Sequence, residues 1–322
     1  MSFPIVTVTL NPAIDETVFL DELRPGAVNR ALRHHRQPGG KGVNVSRMLA
    51  GHGIHSTAAG FLGRENPGIF EKLFAQGMIR DGFLRIGGTT RTGIKIVSQA
   101  TRETTDLNFS GLAPTPADLD MLLEKLATHA RPGTWFVIGG RLPETVSARQ
   151  FRSMLEMLKL ADAHIAVDTS GEALRVAAAC GVDLVKPNLH ELEELLGQPL
   201  PDLASRLAAV CSLRQNGIRH VILSLGDEGA IFATPETIVL TDAPPVEVVS
   251  TVGAGDALLA GYLAGLATEL PAADRAKLAT VFAWSALEDV SRRAPTPEIA
   301  AERIRSIGIR ELEESLSAQR TN

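Results

Sequence analysis

Apolar runs and amphipathic stretches alternate along most of the chain. Apolar runs at 135–138 and 164–168 alternate with segments of helical period at 116–130 and 145–160. A short, continuous apolar run is typical of a strand that is buried on both faces. Strands that alternate with helices of this length predict right-handed crossovers. The pattern therefore predicts an α/β fold with a mainly parallel sheet.

The region between residues 83 and 111 has a different pattern. Three short strand-like runs are joined there by Gly- and Thr-rich links, and no helical period interrupts them. Residues of about 12–36 also look extended, so the two segments together predict a small separate sheet. We expect one domain spanning residues 1–322, with segments 12–36 and 83–111 forming a lid.

Composition and charge narrow the functional classes. The 322 residues are 44% hydrophobic and 21% charged, as is usual for a soluble globular protein. A net charge of −5 argues against general nucleic-acid binding, so an anionic ligand would need a local cationic pocket. No uncharged apolar run reaches the length of about eighteen residues typical of a membrane span, and no signal peptide is evident. Cys180 and Cys211 have no metal-ligand spacing. We expect a cytoplasmic protein without nucleic-acid or membrane partners.

A glycine-rich turn near residue 253 is the first candidate for chemistry. The β-branched run 246–249 predicts a strand before it, and the apolar stretch after Asp256 predicts a buried helix. Gly253 and Gly255 would let backbone N–H groups approach an anion at the helix N-terminus. Asp256 could simply cap the helix. However, a carboxylate beside a phosphate is useful if it removes a proton from an attacking hydroxyl. We therefore predict a phosphoryl-transfer site with Asp256 as general base.

A second glycine-rich turn, Gly39-Gly40-Lys41-Gly42, also opens a predicted helix. It is not a P-loop, because the Gly-Lys-Ser/Thr ending is absent. Its glycines would allow a ligand to approach the backbone closely, and Lys41 and Asn44 could bind a phosphate or hydroxyl groups. A tight turn that carries a surface lysine is the alternative interpretation.

Three further polar positions belong to the first strand and the small sheet. Asp15 follows the carboxyl end of the first strand, where open parallel sheets bind ligands. Arg91 and Lys95 are four residues apart, so a strand would place both on one face. The planar guanidinium group suits phosphate oxygens. A turn aspartate and a solvated strand face are the corresponding structural alternatives.

Two later segments could contact a nucleotide. In Lys186-Pro187-Asn188, Asn188 fits a helix N-cap and Glu191 fits its capping-box partner, which would explain both residues structurally. Alternatively, Asn188 and Glu191 could act on hydrated Mg²⁺ near phosphates. The small residues from Ser224 to Gly226 either make a turn or border an adenine-nucleotide groove.

Taken together, these segments resemble the ribokinase-like sugar kinases of the phosphofructokinase B family. The strongest marks are residues 39–44 and 251–256, which are similar to the two signature regions of the family. The order and spacing of Asn11-Pro12, 168–172 and 186–191 are also similar. The resemblance implies a three-layer α/β/α core with a small β-sheet lid.

The resemblance also implies roles for individual residues. Asp256 would be the base, and the amides of Gly253, Ala254 and Gly255 would form an anion hole. The sugar-phosphate site would be lined by Asp15, Gly39, Gly40, Lys41, Asn44, Arg91, Lys95 and Asn108. ATP would contact Lys186, Asn188, Ser224, Gly226 and Thr251. Glu191 would help to organise Mg²⁺ through water. The lid would close over the sugar and pair two copies of the chain into a homodimer.

Within the family, the chain is most similar to the subgroup that phosphorylates fructose 1-phosphate on its C6 hydroxyl. Residues 61–63, 90–95 and 106–111 carry this likeness, and tagatose 6-phosphate and fructose 6-phosphate are the alternative acceptors. The chain has Gly139-Gly140-Arg141 where relatives commonly have Ser-Gly-Ser. It also departs from the usual pattern at 283–294, near the potassium site of the family.

Two other classes of protein compete with a kinase. A Rossmann dehydrogenase would use the Gly253-Ala254-Gly255 turn, but that turn lies late in the chain. Moreover, no Gly-x-Gly-x-x-Gly follows the first strand. A non-catalytic sugar-phosphate sensor would be expected to have a degenerate site, whereas Asp256 is intact.

Overall fold

The fold is built on two β-sheets. The structure is a computed structural model that describes residues 3–101, 103–289, 291 and 293–313. The strands are β1 (Ile5–Thr9), β2 (Ala13–Leu20), β3 (Arg33–Gly39), β4 (Ser56–Gly63), β5 (Ile79–Ile86), β6 (Arg91–Ser98), β7 (Thr104–Asn108), β8 (Trp135–Gly139), β9 (His164–Asp168), β10 (Leu184–Val185), β11 (His220–Ser224), β12 (Ala230–Ala233), β13 (Ile238–Thr241) and β14 (Ile309–Glu311). The helices are α1 (Lys41–Gly51), α2 (Gly68–Phe74), α3 (Pro116–Ala127), α4 (Ala148–Leu160), α5 (Gly171–Cys180), α6 (Leu189–Leu196), α7 (Leu203–Gln215), α8 (Ala254–Ala267), α9 (Ala272–Glu288) and α10 (Pro297–Arg303).

The large sheet has ten strands in the order β14-β13-β12-β11-β10-β9-β8-β1-β4-β5. Neighbouring strands from β11 to β5 are parallel, whereas β11 to β14 pair antiparallel at one edge. The predicted mainly parallel sheet is therefore confirmed. Since parallel strands share a direction, the carboxyl ends of β1, β8, β9, β10 and β11 lie along one edge of the sheet.

Two apolar cores lie on opposite faces of this sheet. Val6 and Val8 of β1 pack with apolar side chains of α3, α4, α5 and α7 in one core. Ile5 of the same strand packs with α1, α8 and α9 in the other. Alternate residues of a strand point to opposite faces, which explains this division. The result is the expected three-layer α/β/α arrangement.

The small sheet has the strand order β3-β2-β6-β7. Strand β2 pairs antiparallel with β3 and parallel with β6, and β6 pairs antiparallel with β7. Residues 83–86, which the sequence pattern assigns to this sheet, instead belong to β5 and pair with β4 in the large sheet. Their position follows from burial, because Phe83 stacks on Phe74 of α2 in an apolar cluster.

The strand predicted at residues 246–249 is absent. Val248 and Val249 are exposed, and no ladder pairs this segment with another strand among the described residues. The β-branched run favours extended backbone, but β14 already occupies the sheet position beside β13. In the described part of the chain, no helix combines the length and apolar character needed to cross a membrane.

Candidate active site

A cleft of ≈ 950 Å³ lies along the carboxyl ends of the central strands. Open parallel sheets bind ligands at this edge. The cleft brings together residues from both glycine-rich turns, the small sheet and the segments after β10 and β11. The predicted site residues in its lining are Asp15, Gly40, Lys41, Asn44, Arg91, Asn108, Lys186, Asn188, Glu191, Ser224, Gly253, Gly255 and Asp256.

The N-terminus of α8 forms one part of the cleft. Gly253 precedes the helix with a φ of 83°, a left-handed conformation that favours glycine. The Nζ of Lys186 lies close to Gly255, because a Cβ at this glycine would be 3.1 Å from it. A helix N-terminus and an ammonium group therefore meet at one point, which suits an anion. Ala254, the first residue of the helix, is absent from the lining side chains, but its amide belongs to the same turn.

The second glycine-rich turn packs tightly against β1. Gly40 has a φ of 106°, and a Cβ at Gly42 would lie 2.5 Å from Oγ1 of Thr9. The amide of Val43 donates to the same hydroxyl at 3.1 Å. These contacts fix the start of α1, and the side chain of Asn44 then reaches Asp256, donating from Nδ2 to Oδ2 at 2.7 Å.

Asp168 links two lysines that line the cleft. Its Oδ1 accepts from Nζ of Lys41 at 2.6 Å, and its Oδ2 lies 3.4 Å from Nζ of Lys186. Asp168 is 1% exposed and Lys186 is 4% exposed. Burial opposes ionisation of Asp168, but the charges of Lys186 and Lys41 hold its pKa below the ordinary value. Burial lowers the pKa of Lys41, whereas Asp168 and Asp256 raise it to a net value above normal. The result is a compact network of alternating charges.

Asp256 has the pKa expected of a general base that works near neutral pH. Burial raises its pKa, and the negative charge of Asp168 raises it further. Lys41, the hydrogen bond from Asn44 and Lys186 partly offset this, and the resulting pKa is about 6. A carboxylate with this pKa is ionised at pH 7 and still accepts a proton more readily than an exposed aspartate does.

Asp15 lies over glycines of the small sheet. In the register of this sheet, Gly93 pairs with both Asp15 and Asn108. A Cβ at Gly39 would be 2.5 Å from Cγ of Asp15, and one at Gly93 would be 3.6 Å from its Oδ1. The two glycines therefore leave room for a carboxylate, which lies beside Asn108 in the cleft. Gly39 shapes this wall but is absent from the cleft lining.

Arg91 and Lys95 have different surroundings. Arg91 lines the cleft and donates from Nε to Oδ1 of Asn11 at 3.1 Å. Lys95 lies four residues further along the same face of β6, where its Nζ is 2.7 Å from Oδ1 of Asp106. It is absent from the cleft lining, so its contact with a substrate stays a prediction.

The segments after β10 and β11 form the other end of the cleft. Asn188 accepts from the amide of Glu191 at 2.8 Å, and Oε2 of Glu191 accepts from the amide of Asn188 at 2.9 Å. The predicted capping box is therefore present, and both side chains also line the cleft. Gly226 and Thr251 are absent from its lining, so their contacts with ATP stay predictions.

The carboxylates of the cleft fit a metal that is held mainly by other ligands. The described residues contain no group of three or more His, Cys, Asp or Glu side chains suited to a metal. Asp168 is engaged by two lysines, which leaves Glu191 as the carboxylate at the nucleotide end. Mg²⁺ commonly uses one or two carboxylates together with phosphate oxygens and water, so this arrangement fits it.

The predicted site residues did not include Asp168, Asn11 or Arg141, although the first two lie in segments that carry the family resemblance and Arg141 belongs to a departure from the family pattern that could alter substrate or nucleotide contacts. All three follow the rule that was applied to Asp15, since they end or follow strands of the parallel sheet. Asp168 ends the apolar strand β9, and that position was the available signal. Its partner Lys41 comes from a distant part of the chain and its partner Lys186 follows the next strand, and no local pattern indicates either contact.

The match to a protein family agrees with this geometry. Residues 8–299 match the pfkB family carbohydrate kinases, and the chain belongs to this family. It is therefore a carbohydrate kinase by family, and its structure has the ribokinase-like fold that the sequence resemblance implied.

Curated relatives share most of the chain. The 1-phosphofructokinase of Xanthomonas campestris is 42% identical over 305 residues, which cover 92% of this chain and 95% of the relative. The 1-phosphofructokinase of Rhodobacter capsulatus is 38% identical and covers 97% of this chain and 99% of its own.

Solved structures share the fold. Phosphofructokinase-2 from Escherichia coli, in complex with substrates and products, has a TM-score of 0.89 and 26% sequence identity. The match covers 94% of this chain and 99% of that chain.

Proposed function

We propose that the protein transfers the γ-phosphoryl group of ATP to the C6 hydroxyl of fructose 1-phosphate, giving fructose 1,6-bisphosphate. The observation that carries this proposal is Asp256, buried at the glycine-rich start of α8 with a pKa of about 6. Relatives at 42% and 38% identity are named 1-phosphofructokinase, which supports this choice of acceptor.

The reaction needs a base and an anion hole, because phosphoryl transfer depends mainly on positioning and electrostatic stabilisation. Asp256 would take the proton of the C6 hydroxyl as the new O–P bond forms and the bond to the leaving ADP oxygen breaks. The amides of Gly253, Ala254 and Gly255 would stabilise charge on the phosphoryl oxygens. Lys186, beside Gly255, would add a positive charge at the same point.

The two ends of the cleft would hold the two substrates. Asp15, Asn108 and Asn44 would position the sugar hydroxyls, and Lys41 and Arg91 supply positive charge for a phosphorylated sugar. At the other end, Asn188 and Ser224 would contact ATP. Bound Mg²⁺ would neutralise phosphate charge, and Glu191 would hold it through water.

The small sheet would act as a lid and as a dimer surface. It contributes Asp15, Arg91 and Asn108 to the cleft wall, so its closure would exclude water from the transferring phosphoryl group. Large apolar side chains are exposed on its strands and the adjoining connections: Val28, Leu32, Leu107 and Phe109. Such surfaces commonly mark protein interfaces, which supports pairing of two copies through the lid.

Substrate choice is tested by ADP release with Mg-ATP and five acceptors: fructose 1-phosphate, tagatose 6-phosphate, fructose 6-phosphate, fructose and ribose. We expect fast turnover with fructose 1-phosphate alone. Preference for a 6-phosphate would replace the acceptor and keep the kinase mechanism. No sugar-dependent ADP release would favour a sugar-phosphate sensor.

The same assay addresses potassium. One structure of Escherichia coli phosphofructokinase-2 is in complex with potassium, at a TM-score of 0.87 and 25% identity. Rates measured in K⁺ and in Na⁺ at equal ionic strength will show whether potassium accelerates this chain, with its divergent 283–294 segment.

A further inference from the structure

Arg141 occupies a fixed position at the cleft, and the mechanism above does not use it. It follows Gly139 and Gly140 at the carboxyl end of β8. The amide of Gly140 donates to the carbonyl of Asp168 at 2.9 Å, and Oγ1 of Thr169 donates to the carbonyl of Gly140 at 2.9 Å. The backbone beside Arg141 is therefore attached to the end of β9, and its exposed side chain lines the cleft.

Arg141 has no acidic partner within ion-pair distance in the described part of the chain. Within the described residues it makes no ion pair and no hydrogen bond through its side chain. Glu172 and Glu194 line a neighbouring hollow of ≈ 380 Å³ with it, but both lie near Arg175, at 3.6 and 3.8 Å. These two carboxylates thus already have a cation, Glu144 of the cleft lining makes no ion pair with Arg141, and the guanidinium group remains available at the cleft.

Arg141 is near enough to Arg91 for the two charges to interact. Burial lowers the pKa of Arg91, Asp15 raises it, and the positive charge of Arg141 lowers it again. Two guanidinium groups that line one cleft repel each other, and a dianion between them would relieve that repulsion. Guanidinium groups also match phosphate oxygens in a bidentate geometry.

We propose that Arg141 and Arg91 together bind the phosphate that the acceptor sugar already carries. The inference rests on the proposed function and extends it to a residue that determines specificity for a phosphorylated sugar. Arg141 follows β8, and Asn11, the partner of Arg91, follows the adjacent strand β1. Ser224, at the nucleotide end, terminates β11, four strands from β1 or about 19 Å away at the usual strand spacing. The pair therefore lies at the sugar end of the cleft.

Calorimetric binding of fructose 1-phosphate without ATP, together with steady-state kinetics, tests this assignment. The variants are Arg141→Met, which removes the charge, and Arg141→Lys, which keeps the charge but loses the planar fork. Arg149→Met is the matched control, because Arg149 is also exposed and lies in the first turn of α4 outside the cleft lining. Melting temperatures establish that each variant is folded.

For Arg141→Met we expect the Kd and KM for fructose 1-phosphate to rise about tenfold to a hundredfold, as for loss of a charged hydrogen bond. We expect kcat and the KM for ATP to change less than about twofold, and Arg141→Lys to lose less affinity. Arg149→Met should match the wild type.

Several results would overturn the assignment: wild-type affinity in Arg141→Met, equal weakening in Arg149→Met, or a rise confined to the KM for ATP. If the Met variant does not fold, Arg141→Lys is compared with the wild type instead. A Kd and KM for fructose 1-phosphate equal to those of the wild type in Arg141→Lys would exclude a bidentate contact. Binding without turnover separates the two proposals. Tight, Arg141-dependent binding without ADP release would uphold the phosphate contact and disprove the kinase reaction.

Discussion

The amide of Asn44 and the carboxylate of Asp256 connect the two glycine-rich turns across 212 residues of sequence, through a hydrogen bond of 2.7 Å. Asn44 lies in the first turn of α1 and Asp256 in the first turn of α8. Because the amide donates to the ionised carboxylate, it offsets part of the effect of burial and keeps the base ionised near neutral pH. The contact also fixes one oxygen, which orients the carboxylate in the cleft.

Replacing Asp256 with Asn should abolish most of the activity and leave the fold intact. The amide is nearly the same size but cannot accept the proton, so we expect kcat to fall by about 10²–10⁴. Circular dichroism and melting should resemble the wild type. Asp274→Asn is the matched control, because Asp274 lies in the first turn of α9 outside the cleft lining. Near-normal turnover of Asp256→Asn would remove Asp256 as the base.

The pH dependence of kcat/KM should reflect the ionisation of Asp256. The base must be unprotonated, so kcat/KM should fall about tenfold per pH unit below its pKa of about 6 and level off above it. Initial rates between pH 5 and 8, at constant ionic strength and saturating Mg-ATP, test this. If kcat/KM instead began to fall only near pH 4, the base would have the ordinary pKa of an exposed aspartate, which would contradict the burial of Asp256.

Asp168→Asn should change both the acid limb of the pH profile of kcat/KM and the free energy of unfolding. The negative charge of Asp168 raises the pKa of Asp256, so its removal should move the acid limb to lower pH. Lys41 and Lys186 would also lose their shared partner, and we expect about 3 kcal/mol of destabilisation at pH 7. The native pKa of Asp168 is depressed, so its stabilising effect should be present above about pH 4 and disappear as the pH falls further.

Rate profiles and urea unfolding at several pH values measure these two effects. Glu22→Gln is the control, because its ion pair with Arg24 is largely exposed and should contribute little. An unchanged acid limb in Asp168→Asn would show that its charge does not influence the base.

Local patterns in the sequence predicted the helix starts but not the partners that meet there. Both glycine-rich turns begin helices as expected, since glycine conformation and apolar periodicity are local signals. The mainly parallel sheet followed from the alternation of strands with helices, for the same reason. By contrast, Asp168 contacts Lys41, which lies 127 positions away, and Lys186 in a different strand-end segment, and sequence spacing does not indicate which of these side chains meet.

Strand pairing explains the two errors in the predicted elements. Residues 83–86 have strand character, but their membership in the large sheet depends on pairing with β4. Residues 246–249 are β-branched, yet they have no neighbouring strand among the described residues. Strand propensity describes how a segment fits a pleated surface, and it does not specify which surface is available.

Arg91→Ala should affect sugar-phosphate binding more than Lys95→Ala does. Arg91 lies in the cleft, whereas Lys95 is paired with Asp106 outside the cleft lining. We expect the KM for fructose 1-phosphate to rise about tenfold or more for Arg91→Ala, with the KM for ATP little changed. The rise for Lys95→Ala should be smaller. Equal effects would mean that Lys95 leaves Asp106 and contacts the substrate when the lid closes.

If two copies associate through the lid, a charge placed on the lid surface should weaken the dimer. Leu32 and Leu107 are 60% and 45% exposed, and both belong to the lid segments. A glutamate at either position would place a carboxylate in an apolar interface, so Leu32→Glu and Leu107→Glu should raise the dimer dissociation constant by at least about tenfold. Sedimentation velocity over a concentration series measures this constant. Leu160→Glu, at a position 89% exposed on α4, is the matched control and should sediment as the wild type does. A monomeric wild type, or equal dissociation in all three variants, would exclude the lid as the interface.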